Sequence, residues 1–105
     1  VIGYTWNDSK GENPVIIVWD VSSYADYDWW MTAIVLNSNG EYAIYSDSGC
    51  SCNGAYEKGW DEYGLAWTND LNEVKRQART YVSKTEKISV GRKADNLSKL
   101  ARLSK

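Results

Sequence analysis

The sequence predicts an α+β fold: a small antiparallel sheet of three to five strands, one helix packed across it, and a basic C-terminal helix. Three observations carry this. Residues 1–48 alternate or run apolar with β-branched and aromatic side chains, the pattern of strands. An Asn39-Gly40 pair separates two such runs, a strong signal for a hairpin. From Asp70 onward the apolar residues recur at helical spacing instead.

In chain order, Val1–Asn7 reads as a strand with Ile2, Tyr4 and Trp6 on one face. Asp8–Pro14 is polar, holds the sole Pro and reads as a loop. Val15–Trp19 is continuously apolar, as expected of a strand covered on both faces. Asp20–Asp28 reads as a second loop, and Trp29–Leu36 and Glu41–Ser46 as the two arms of the Asn-Gly hairpin. Residues 47–69 are rich in Gly, Ser, Asp and Asn and read as a long loop around Tyr56, Trp60, Tyr63 and Trp67, with Gly64–Trp67 as a candidate extra strand.

Asp70-Leu71-Asn72-Glu73 fits an acidic capping box, with Asp70 capping and Glu73 reaching back. Leu71, Val74, Ala78 and Val82 then form the stripe that should meet the sheet. After Ser83–Ser89 a second helix is expected, with Ala94, Leu97, Leu100, Ala101 and Leu103 as its apolar face. It is expected to dock loosely, because Gly91 weakens its start and chain ends fray.

With 105 residues, the expectation is a single domain over 1–105, comprising an acidic β-rich part (1–69) and a basic helical part (70–105). The net charge of −2 hides that split. Residues 1–71 hold two basic and eleven acidic side chains, and residues 72–105 hold ten basic and three acidic ones.

Composition removes some chemistry. There is no His, so Ser–His and Cys–His pairs and His-containing zinc sites are excluded. Carboxylate pairs such as Asp26/Asp28 and Asp61/Glu62 have the residue type for acid–base work, but neighbouring acids in loops are usually solvated. No catalytic residue, metal site or cofactor is expected. The only cysteines are Cys50 and Cys52. Their i, i+2 spacing opposes a relaxed disulfide and two thiols fall short of a zinc site, so both are expected as free thiols. No run approaches the ~20 apolar residues of a membrane-spanning helix. No basic segment followed by an apolar one opens the chain, and a cytoplasmic location is the expectation.

Six Trp and eight Tyr with no Phe give large apolar area bearing polar tips. Most of that area is expected in the core. The aromatics set in acidic loops, Tyr24, Tyr27, Tyr56, Trp60 and Tyr63, are the candidate partner-binding residues. The expected function is therefore a non-enzymatic binding module that contacts a protein. The alternative is nucleic-acid binding through the basic helices, with Arg76, Arg79, Lys93 and Arg102 facing phosphates.

One segment carries a resemblance. A strand ending in Asp47-Ser48-Gly49-Cys50-Ser51-Cys52, a small-residue turn, the pair Tyr56-Glu57, and a helix capped by Asp70-Leu71 resemble small proteins of actinobacterial phages, over roughly residues 29–82. The resemblance implies an accessory protein made in the cytoplasm of a bacterial host, with a host protein as partner and the two cysteines kept reduced there.

Overall fold

The computed structural model describes residues 3–25, 27–50, 54, 56–57, 59–61, 65–86 and 88–104. Four strands, β1 (Tyr4–Asn7), β2 (Pro14–Ala25), β3 (Asp28–Leu36) and β4 (Tyr42–Cys50), are followed by helices α1 (Leu71–Lys84) and α2 (Val90–Ala101). The strands form one antiparallel meander in chain order, so the fold is α+β with a four-stranded sheet.

The sheet is covered on both faces. Trp19, Val21, Trp30, Ile34 and Tyr42 face Leu71, Val74, Ala78, Val82 and Leu100 of the helices. On the opposite face Trp6, Val15, Ile17, Trp29, Met31, Ala33, Val35 and Ala43 pack with Trp60, and with half-buried Tyr45, Tyr56, Leu65 and Trp67. The continuous run Val15–Trp19 serves both layers. The pairing of β2 with β3 shifts between Ile17 and Trp19. That irregularity moves Trp19 and Val21 to the helix face, whereas strict alternation would have left them beside Val15 and Ile17.

The expected loop Asp20–Asp28 is mostly strand. β2 continues to Ala25 and pairs residue for residue with β3, from Asp20↔Ala33 to Ala25↔Asp28. Asp20, Ser22 and Tyr24 alternate with Val21 and Ser23, so a polar composition masked a period of two. β4 likewise runs past Ser46 to Cys50, because Asp47–Cys50 find partners on Met31–Asp28. Gly64 lies outside the described residues; Leu65–Trp67 form no strand, and the next residue, Thr68, makes an isolated bridge to Tyr42.

The hairpin turn forms where expected. Asn37 Oδ1 accepts from the backbone N–H groups of Asn39 and Glu41, both at 2.9 Å. Gly40, at φ 80°, supplies the left-handed residue that closes it.

Helix α1 starts at Asp70, whose carboxylate accepts from Asn72 N at 3.1 Å and Glu73 N at 3.4 Å. Only half of the capping box forms. Glu73 turns forward to Arg76 and Gln77, while Thr68 Oγ1 takes the Asp70 N–H at 3.1 Å. Asp70→Ala is expected to cost about 1 kcal/mol, the usual loss for such a cap, and Asn72→Ala, exposed on the same turn, much less. Urea unfolding midpoints check the difference.

The second helix is docked more firmly than expected. Ser89 caps it, accepting from Arg92 N at 3.3 Å. Leu100 is fully buried, and Trp19 Nε1 donates to the Asn96 carbonyl at 3.2 Å. Its apolar face also differs. Ala94 and Ala101 are exposed, whereas Asn96 is buried and turns its amide back to Arg92 O at 2.9 Å.

Candidate functional site

The four loop aromatics among the described residues separate into three fates. Trp60 is only 4% exposed, and its indole N–H is held by the carbonyls of Trp6 at 3.2 Å and Asn13 at 3.1 Å. It forms a parallel bridge with Asp8, and Gly59 approaches so closely that a Cβ there would lie 2.2 Å from the Asp8 carbonyl oxygen. Trp60 is thus a core residue of the second layer, and its ring is already occupied.

Tyr56 is half-buried and packs edge-on against Trp6 and Tyr4, with ring centroids 5.0 and 5.9 Å away. Its hydroxyl donates to Asp20 Oδ2 at 2.8 Å, and Tyr4 donates to the same oxygen at 3.3 Å. Tyr56 takes a φ of 69°, rare for a residue with a Cβ, and this contact set holds it there. Tyr63 lies outside the described residues, as do Asp26 and Glu62 of the carboxylate pairs.

Burial raises the Tyr56 phenol well above the ordinary tyrosine range, and the neighbouring Asp20 carboxylate adds to this. A phenol raised on folding binds its proton more tightly in the native state. Its contribution is therefore complete below the unfolded pKa of about 10 and is lost as pH rises beyond it. Tyr56→Phe is expected to cost about 1–2 kcal/mol near neutral pH through the lost bond to a charged acceptor. It should also flatten the alkaline fall in stability. Chemical denaturation across an alkaline pH series checks both.

Tyr24 and Tyr27 remain, 66% and 77% exposed at the β2–β3 turn. Their platform is well braced. Trp29 is buried and donates from Nε1 to Cys50 O at 3.0 Å. Its ring lies across Gly49, where an added Cβ would sit 2.8 Å from Trp29 Cζ2. The ends of three strands meet here through the pairs Tyr24↔Trp29 and Trp29↔Gly49, with exposed Asp28 and Asp47 beside them. No other large hydrophobic side chain on the described surface except Val90 is as exposed as these two tyrosines.

Cys50 ends β4 and is disulfide-bonded, which corrects the expectation of free thiols. The chain has one other cysteine, Cys52, outside the described residues. A spacing of two disfavours a relaxed bridge, but that general preference does not by itself forbid a disulfide at Cys50.

Several basic side chains have partners within the chain, two of them in exposed ion pairs. Arg76 pairs with Glu73 at 2.6 Å and Lys99 with Asp95 at 3.3 Å. Lys75 donates to the carbonyls of Ala101 and Leu103 at the end of α2, at 3.3 and 2.8 Å. Lys93 reaches Ser83 O at 3.4 Å near the end of α1, and Arg92 binds the Ser22 carbonyl on β2. Lys75 and Lys93 thus meet carbonyls at helix C-termini, where positive charge is favoured. Arg79 and Arg102 are exposed, so the four residues of the nucleic-acid reading do not share one role. Among the described residues no group of three or more acids and cysteines is placed to hold a metal ion, and no helix is long and apolar enough to cross a membrane.

Fold and surface define a small α+β protein whose sheet lies between a helical layer and an aromatic loop, with two tyrosines displayed at one end. The chain belongs to the family described as Domain of unknown function (DUF7574), whose model matches residues 5–105. No curated protein and no solved structure matches it.

Proposed function

We propose that the protein is a non-enzymatic binding module that engages a protein partner through the end of the β2–β3 hairpin. The exposure of Tyr24 and Tyr27 on a braced strand end carries this reading. Rigid tyrosines contribute large contact area at little entropic cost and dominate many interfaces. Asp28 and Asp47 beside them favour a basic partner surface. The resemblance of residues 29–82 to small actinobacterial-phage proteins supports a bacterial host protein as that partner.

The test is the variant Tyr24→Ala/Tyr27→Ala. It should melt within a degree or two of the wild type and lose the partner that the wild-type protein retains from host lysate treated with nuclease. Equal retention by both proteins would sink the proposal. A salt-sensitive complex with nucleic acid, lost on charge reversal of Arg76, Arg79, Lys93 and Arg102, would move the function to the helices.

A further inference from the structure

A second surface lies at the opposite end of the β2–β3 hairpin, where the β1–β2 loop and the β3–β4 turn come together. A crevice of about 250 Å3 opens there, lined by Asn13, Asn37, Asn39, Glu41, Trp60 and Trp67 among others. A cavity of about 170 Å3 adjoins it, sharing Asn13 and Trp60 and bordered by Asp8 and Lys10. Trp60 and Trp67 meet edge-to-face at 6.0 Å, and Trp67 is only half-buried.

Which polar groups remain free decides what such a crevice would take. The carboxylates are largely spent on holding the turns. Asp8 accepts from Lys10 N at 3.2 Å, Glu12 N at 2.9 Å and Asn13 Nδ2 at 2.7 Å. These bonds hold its carboxyl below the usual range, the Asn13 contact most of all. Glu41 accepts the Asn37 amide at 3.1 Å. By contrast the Asn39 side chain, the Ser38 hydroxyl and the Trp67 indole N–H make no hydrogen bond among the described residues.

In the larger crevice these three unspent groups are thus neutral, mix donors with acceptors, and include an indole. Lys10 is the one cation among the described residues lining the two cavities, which disfavours phosphates and other anions. A neutral polyhydroxylated ring matches this set. Its hydroxyls pair with amides, and its C–H groups, slightly positive, suit the electron-rich face of an aromatic. The volume lies just under the usual range for ligand pockets, the size of one ring rather than an extended ligand.

We propose that this crevice is a binding site for a neutral carbohydrate, with one sugar ring set on Trp67 and its hydroxyls on Asn39 and Ser38. The site is separate from the tyrosine end and stands or falls without it.

Calorimetry and tryptophan fluorescence on the full chain, titrated with glucose, galactose, mannose and N-acetylglucosamine and their short oligomers, test the proposal. The expected result is saturable binding of at least one of them at millimolar affinity or tighter, with a shift in indole emission. Asn39→Ala, in an exposed turn, should weaken it about tenfold without moving the melting temperature. Trp67→Phe should weaken it as well, and Tyr24→Ala/Tyr27→Ala should leave it unchanged. Absence of saturable binding by all of these sugars would overturn the proposal. So would binding that Asn39→Ala leaves intact, or a preference for tetramethylammonium or arginine methyl ester, which would assign the crevice to a cation.

Discussion

Trp60→Ala is expected to lower the free energy of unfolding by about 3–5 kcal/mol, the range for deleting a buried aromatic. The residue was expected from its acidic, glycine-rich setting to be a contact residue, so the size of this effect separates the two roles. Its ring is 4% exposed and anchors the covering loop to the first two strands. Truncation removes its packing and the bonds that its indole N–H makes to the Trp6 and Asn13 carbonyls. Trp60→Phe should fall between, since it keeps much of the ring volume and loses only the indole N–H. Urea unfolding followed by circular dichroism measures both. A cost below about 1 kcal/mol for the alanine variant would mean that Trp60 belongs to a dispensable flap rather than to a structural layer.

Leu100→Ala should cost about 2–5 kcal/mol, the range for a fully buried leucine. The side chain has no exposed surface and joins α2 to the layer that contains Trp19, Val82 and Ile88. Leu103→Ala, half-buried beyond the end of the helix, should cost markedly less. Were α2 frayed, both substitutions would cost only a few tenths of a kcal/mol, as surface changes usually do. Hydrogen exchange gives an independent check. The α2 amides should exchange with protection close to that of α1, because both helices share one apolar cluster.

Local chemistry was legible in the sequence wherever a residue acts through its near neighbours. Asp70 as a cap, Gly40 as the left-handed residue of a turn, and the Leu71, Val74, Ala78, Val82 stripe all depend on contacts within a few residues along the chain. Glu73 marks the edge of that legibility. Its spacing fits a capping box, but Arg76 and Gln77 compete for the carboxylate and Thr68 already serves the cap, and no motif weighs these partners.

The candidate site was legible in part. Tyr24 and Tyr27 were expected in a loop; Tyr24 instead lies near the end of β2 and Tyr27 in the turn that leads to β3, and both are exposed. Tyr56 and Trp60 have the same composition around them and the opposite fate. The difference is a partner far along the chain: Asp20 for Tyr56, thirty-six residues away, and Trp6 for Trp60, fifty-four away. A clue was present in Gly59, whose missing side chain admits the Asp8 backbone beside Trp60. It reads as a loop glycine until that neighbour is known.

The sequence by itself determined the class of fold, the helix starts and the hairpin. Periodicity, caps and turn residues act over a few positions, so their free energies are readable from spacing alone. Tertiary structure decided how far β2 and β4 extend, which side of β2 each residue faces, how firmly α2 docks, and which aromatics stay in water. Each of those outcomes depends on pairing or burial against residues remote in sequence. A polar strand is stable once its backbone bonds are met by a neighbour, and a tryptophan in a loop is buried once another backbone accepts its N–H.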